Sequence, residues 1–363
     1  MDSYLDSSTD KVEALETELK GSEVKRNGDF LDIKYKGKDI SINATTGEIK
    51  QPLPVIKAGE KAPATSNAQY KSGNYTAIIP AGFMVSDVKI VNETTGEVEK
   101  DETTIETGLV IRDDAENEFV WIPVGIPWRS ASNKRITLAR YEFKDANDST
   151  SGTIVQVKTD GGAISVTDPW NNSFEVTEEA PREIGTNNAV AKNINDFISK
   201  TNAAGGFWIG RYEARTTSQT SRSSSSDPLT AVTEKPGNAV YNYIKQTDAS
   251  VKAREMYSEN KYFESDLINS YAWDTATLFL QEYDNREGTN FKPYSIQKSY
   301  NVDYPLAIGT IAETNKDKIC NVYDMASNCY EWTTETAVGS NGPCVKRGGD
   351  YGGYFNYTSG RLR

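Results

Sequence analysis

Apolar residues near the start of the chain recur with helical spacing. Val12, Leu15 and Leu19 fall at i, i+3 and i+7 among charged neighbours, which predicts an amphipathic helix over residues 3–20. Beyond Gly21 the period shortens. The run DFLDIKYKG carries Phe30, Leu31, Ile33 and Tyr35, and the following DISINATTGEI turns at Thr46-Gly47, so a short β-meander is expected. Residues 1–52 thus read as a small helix-plus-meander unit. The seven residues Asn43–Ile49 recur nearly intact at Asn92–Val98; two copies make no solenoid, and a shared hairpin turn with glycine at positive φ explains them. Three prolines among small polar residues in 51–74 predict a linker over 53–74.

From Tyr75 onward the pattern changes to short β-runs (YTAIIPAGF, TGLVIRD, NEFVWIPVG, GGFWIGRYEA) separated by long irregular stretches. Two helices interrupt them. One is expected over 189–201. The other is expected over 266–283, where Leu267, Tyr271, Ala272, Thr275, Leu278 and Phe279 form a stripe. The polar tract 216–232 has no apolar period and reads as a mobile surface loop. The fold class expected is α+β, with loops building much of the larger domain.

Composition narrows the chemistry. The chain has 363 residues, 37% of them hydrophobic, with 20 Tyr, 11 Phe and 6 Trp, enough to build two domains and to favour β-rich structure. A formal net charge of -12 disfavours nucleic-acid binding and contact with anionic membrane. Histidine is absent, which excludes imidazole acid–base catalysis, serine or cysteine triads and histidine-held metals. The cysteines Cys320, Cys329 and Cys344 form no metal-binding spacing; they read as small buried side chains or as one bridge, Cys320–Cys344 being the pair to test. No run approaches the 18 apolar residues of a membrane span. The Asn-X-Ser/Thr triplets at Asn43, Asn74, Asn92, Asn147, Asn171 and Asn356 carry no weight in a chain so rich in Asn and Thr.

Five segments stand in one order: NEFVWIPVG (117–125), GGFWIGRYEA (205–214), AWDTATLFL (272–280), NVYDMASNCYEWT (321–333) and KRGGDYGG (346–353). Together they resemble the successive blocks of the formylglycine-generating-enzyme (sulfatase-modifying-factor) family over about residues 75–363. The resemblance implies a C-type-lectin-like domain over 75–363 with two helices, small twisted sheets and extensive loops. Read from the residues themselves, Phe119, Trp121 and Ile122 in one strand, and Phe207, Trp208 and Ile209 in another, supply large buried surfaces. Gly348-Gly349 permits close backbone approach or positive φ. Ser327-Asn328 marks a turn between Tyr323-Asp324 and Glu331-Trp332. The family has Gly-Asn at that turn. By the resemblance Asn328 and Glu331 fall where calcium binds in family members, and a hydrogen-bonded turn without metal is the competing reading.

The family's oxidase holds copper with a cysteine pair shortly after the RGG motif, and soft thiolates suit Cu(I). Here that stretch is Asp350–Ser359 and contains no cysteine; an iron-dependent branch needs histidines that this chain lacks. Neither chemistry is available, so a non-enzymatic protein is expected. The stretch holds three Tyr with Phe, Asn, Asp, Thr, Ser and two Gly, the composition of an antibody paratope. It also resembles the diversified C-terminal loop of retroelement variable proteins. The expected ligand-binding residues are Asp350, Tyr351, Tyr354, Asn356, Tyr357 and Ser359 within a binding loop over 350–363. The partner expected is a surface protein or glycan, on a bacterial surface, a pilus or a phage tail. An irregular aromatic loop is the plain alternative. Three other readings stay open: a structural pilus or tail subunit with possible self-assembly, a divergent oxidase, and acid–base chemistry at Glu331 with Asp324. The chain reaches Gly360–Arg363 where the family continues to a closing strand, which implies that part of the surface is missing. The N-terminal unit looks weakly pilin-like by layout.

Overall fold

Alternating residues build the first sheet. The computed structural model describes residues 23–27, 30–35, 38–43, 49–50, 52–143, 154–158, 162–167, 173–178, 194–218, 220–284, 293–296, 317–338, 344–351 and 358–362. The chain divides into two units, Met1–Pro54 and Val55–Arg363. In the first, β1 (Glu23–Asn27), β2 (Phe30–Tyr35), β3 (Lys38–Asn43) and β4 (Ile49–Lys50) pair antiparallel in chain order. This is the expected meander. In the β2–β3 register the backbone of Leu31 pairs with Ile42 and that of Ile33 with Ile40, and Ile33 is buried. The helix expected over 3–20 and the Thr46-Gly47 turn lie outside the described residues.

The second unit begins where a linker was expected. Val55–Ile56 forms β5 and pairs parallel with β6 (Ala68–Ser72), which pairs antiparallel with β7 (Tyr75–Ile79). Ala68 and Tyr70 alternate inward, Ile56 and Ala62 are buried beside them, and the Tyr70 hydroxyl donates to the Thr103 carbonyl at 2.8 Å. The linker reading of 53–74 is therefore corrected. The prolines end the first unit, but the small polar residues beyond them are turns between buried strands.

Next come β8 (Met84–Val85), β9 (Lys89–Val91), β10 (Val98–Asp101), β11 (Val110–Arg112) and β12 (Glu118–Pro123). The recurring seven-residue motif is the β9–β10 hairpin. The Asn92 Oδ1 accepts the Thr94 and Thr95 amides at 2.9 and 3.1 Å, and Gly96 supplies φ 73°. Then follow β13 (Arg140–Phe143), β14 (Ile154–Lys158), β15 (Ile164–Thr167), β16 (Ser173–Thr177), helix α1 (Ile194–Ala204) and β17 (Gly206–Gly210). One central sheet has the order β17-β12-β11-β8. Trp121 faces Trp208 across β12–β17, with ring centroids 5.0 Å apart. Trp121 packs into the core beneath β5–β7 while Ile122 and Phe207 point to the other core, so this pair of strands divides two apolar clusters. Phe119, Trp208 and Ile209 are only partly buried.

After β18 (Arg215–Thr216) and β19 (Val232–Thr233), helix α2 spans Gln246–Glu255 and helix α3 spans Ser270–Glu282. The polar tract between β18 and β19, expected to be mobile, is organised by one buried guanidinium. Arg222 donates to the carbonyls of Asn242, Tyr243, Ser225 and Asp227, and Asp227 accepts the Ser223 and Ser224 amides. Helix α2 was not anticipated. Lys245 offers no side-chain cap and only Gln246 and Ser250 are buried, so it carries almost no apolar signal. Helix α3 starts later than expected because Asn269 caps it, accepting from the Ala272 amide at 2.9 Å. The stripe expected on α3 widens to every residue from Ser270 to Leu280.

The last strands are β20 (Lys318–Ile319), β21 (Val322–Tyr323), β22 (Glu331–Ala337) and β23 (Cys344–Arg347), with a second sheet in the order β15-β16-β22-β23. Three helices and several small sheets, with no barrel, make this an α+β unit among the described residues. Leu362 bridges Lys346, exchanging backbone hydrogen bonds of 2.8 and 3.0 Å. None of the three cysteines forms a disulfide, so no Cys320–Cys344 bridge exists, and buried Cys320 donates its thiol to the Tyr283 carbonyl. Gly348 has φ 74°, and a Cβ there would lie 2.8 Å from the Met325 carbonyl oxygen. Gly348→Ala is expected to destabilise this unit by at least about 2 kcal/mol, read as a lower urea midpoint.

Candidate functional site

The NVYDMASNCYEW block forms one turn-rich knot. Cys320, Asn321, Asp324 and Asn328 all hold positive φ, between 46° and 67°. Asn and Asp tolerate this region because their short polar side chains bond locally. Here each is held from outside. The Asn321 amide donates to the carbonyls of Asp101, Thr107 and Gly108. The carboxylate of Asp317 accepts the Ala326 amide and the Ser327 hydroxyl through Oδ2, and the Tyr294 hydroxyl at 2.8 Å through Oδ1.

Around this knot stands a buried acidic cluster that the sequence reading named only in part. Glu213, at the turn after β17, accepts the Cys329 amide at 2.6 Å and the Asn328 side-chain amide. Asp324 and Glu234 are buried beside it, Glu331 is half-buried, and Arg215 is fully enclosed among them. Burial pushes Glu331 up to about 8, with Asp324 and Asp317 adding repulsion. Asp324 rises to about 7 through burial and Asp317, opposed by Arg215. Burial, then Asp324 and Glu331, also lift Glu213 well above the usual carboxylate range, and burial lifts the Cys329 thiol. A cleft of about 920 Å³ runs past this cluster, and Glu213, Glu234, Glu331, Tyr212 and Trp332 are among its walls.

Of the two residues at which calcium was expected, Asn328 donates its side-chain amide to Glu213, and Glu331 is half-buried at the start of β22.

The C-terminal loop divides three ways. Asp350 and Tyr351 are half-buried and stand beside the knot: the Tyr351 phenol is raised by burial, then by the nearby Tyr243, Cys329 and Asp350. Tyr354, Asn356 and Tyr357 lie outside the described residues. Ser359, expected among the ligand-binding residues, lies in the core instead. It is 8% exposed, its hydroxyl and amide donate to the Ser295 carbonyl at 2.6 and 3.0 Å, and its own carbonyl accepts from Arg347.

The structure adds residues that sequence reasoning missed. Tyr243 is 54% exposed in the loop before α2. Lys346 sits 4.1 Å above the half-buried Tyr330 ring, and the Trp332 indole donates to the Ile244 carbonyl at 2.9 Å, tying that loop to β22. Tyr330 and Lys346 lay inside quoted blocks, but nothing in their spacing marked them as surface neighbours. No protein-family model, curated protein or solved structure matches this chain.

Proposed function

We propose that the second unit is a non-covalent binding module that captures a surface protein or glycan on a face built from Tyr243, Tyr330 and Tyr351. One observation carries this reading: Tyr351 stands near Tyr243 and Asp350, and Lys346, which Asp350 attracts, sits over the ring of Tyr330 on the cleft wall. Rigid rings offer stacking area at small entropic cost, and flanking charges orient a polar ligand. The family resemblance points the same way: a lectin-like fold whose loop has lost its copper-binding cysteines, displayed on a bacterial surface, a pilus or a phage tail.

The test compares the wild-type chain with Tyr243→Ala/Tyr351→Ala on one array of glycans and bacterial surface proteins. Specific wild-type binding should fall at least about tenfold in the variant, as loss of a central aromatic pair implies. The melting temperature should hold, since both rings are partly exposed. Undiminished binding by the double variant would defeat the reading.

A further inference from the structure

We infer that the acidic wall of the cleft is a site for an organic cation, the ammonium or guanidinium of a basic side chain, received by Glu234 with Glu331, while Glu213 and Asp324 stand beside them. This goes beyond the tyrosine face and does not depend on it.

The first observation is a shortage of positive charge. Three carboxyl groups, Glu213, Glu234 and Asp324, act on one guanidinium, that of Arg215, with Glu331 beside Glu213 and Glu234, and that guanidinium does not bond them. Arg215 Nη1 donates to the Asn238 carbonyl at 2.6 Å, and its Nε and Nη2 make no hydrogen bond. Arg211 is committed elsewhere, to Glu102 and Glu118 at 2.7 and 2.8 Å.

The second observation is independent of the clustering. Glu234 is 8% exposed and lies on the cleft wall, yet its Oε2 has no hydrogen-bond partner. Asp324, 3% exposed, leaves Oδ1 unpartnered in the same way. A buried oxygen acceptor without a donor is costly in a folded chain, and polar groups left open on a cleft wall are met by what the cleft receives. Glu213 differs, since the Cys329 amide and Asn328 already occupy it. It shapes the pocket while Glu234 remains open.

The ligand's chemistry follows from what surrounds these oxygens. Ionised, these oxygens accept, and a cation beside them favours that form, so a donating, positively charged ligand fits them. Among the described residues no three potential ligands are arranged around a metal ion. An ammonium or guanidinium brings several N–H donors from one point and needs no fixed coordination sphere. Trp332 on the same wall brings an aromatic ring suited to a cation, and the cleft's apolar stretch, with Phe207 and Ile209, suits the aliphatic stem.

Isothermal titration of the full chain decides this, with N-acetyl-lysinamide and N-acetyl-argininamide as probes, uncharged N-acetyl-norleucinamide as the isosteric control and calcium chloride as the inorganic one. Both cationic amides should bind at least about tenfold more tightly than the norleucine analogue. Glu234→Gln should weaken them by a similar factor with its circular dichroism unchanged. Should that variant fail to fold, carbodiimide labelling of the wild-type chain gives a second reading, in which saturating lysinamide should lower modification of Glu234. Equal affinity for the norleucine analogue, full affinity in Glu234→Gln, displacement of the amide by stoichiometric calcium, or unchanged labelling would each overturn the assignment.

Discussion

Asp274→Ala is expected to lower the unfolding free energy of the larger unit by about 3–5 kcal/mol, the range for removing one partner of a buried ion pair. Asp274 sits within α3 with no exposure and serves three donors. Its Oδ1 accepts from Arg347 Nη2, and its Oδ2 accepts from Arg361 Nη2 at 2.6 Å and from the Tyr141 amide at 2.9 Å. Glu335 completes the network, bonding Arg361 Nε at 2.9 and 3.0 Å and pairing with Arg347 at 3.4 Å. Two carboxylates balance two guanidiniums. Without Asp274 one buried positive charge is left over, and neither arginine can reach water. The two arginines flank the stretch that holds Tyr351, so loosening this clamp should also reduce capture at the tyrosine face. All six tryptophans lie beyond Pro54, and urea unfolding followed by their fluorescence therefore reads this unit alone. Asp274→Asn should cost nearly as much, because charge rather than volume is lost. A midpoint close to the wild type in both variants would refute the clamp.

Stability of the same unit should decline as pH rises from 5 to 8. Burial, reinforced by Glu335, pushes Glu178 up to about 7, while Asp324 stands at about 7 and Glu331 at about 8. Each keeps its proton in the folded chain at pH values where the unfolded chain has released it. The folded state then binds more protons, and the stabilisation is fully present below the ordinary carboxylate value near 4.5 and is lost as pH climbs through 7 to 8. Glu178 alone corresponds to roughly 3 kcal/mol over that window; half-buried Glu331 contributes less because water screens it. Glu102 works in the opposite sense. Held down to about 2, chiefly by Arg211 against its own burial, it matters only below pH 5 and does not offset the trend. Glu178→Gln supplies the control, since its amide can still meet the Ser270 amide and the Thr334 hydroxyl that Glu178 accepts at 2.6 and 2.9 Å. Its unfolding midpoint should depend less steeply on pH. A wild-type midpoint that rises between pH 5 and 8 would contradict these protonation states.

Much of the architecture was legible where side-chain period matched burial. The alternation around Ile33, the strand carrying Trp121 and Ile122, and the stripe on α3 each follow from a local pattern that places apolar groups on one face. The hairpin at Asn92–Val98 was legible for a different reason: Asn and Gly there satisfy the turn within the motif itself. Helix α2 escaped because its buried residues are Gln246 and Ser250, polar groups whose partners come from elsewhere; Gln246 donates to the Thr333 carbonyl, far away in sequence. The proline-bearing segment misled because Pro and small polar residues report local chain direction and say nothing about whether Ala68 and Tyr70 find a core.

Of the candidate site, the sequence alone determined what was chemically unavailable and which loop was rich in rings: no histidine, no cysteine after RGG, and tyrosines at 351, 354 and 357. Only the tertiary structure decided which residues meet. Charged residues such as Glu213, Glu234 and Arg215 look like solvated surface in a linear chain, because nothing local distinguishes a solvated carboxylate from an enclosed one. Ser359 was expected at the binding loop's surface for the same reason, since a polar side chain is equally at home in water or against the Ser295 carbonyl. Apolar periodicity is a property of neighbours in sequence and survives in the text of the chain. The pairing of buried polar groups belongs to neighbours in space, and it exists only once the chain has folded.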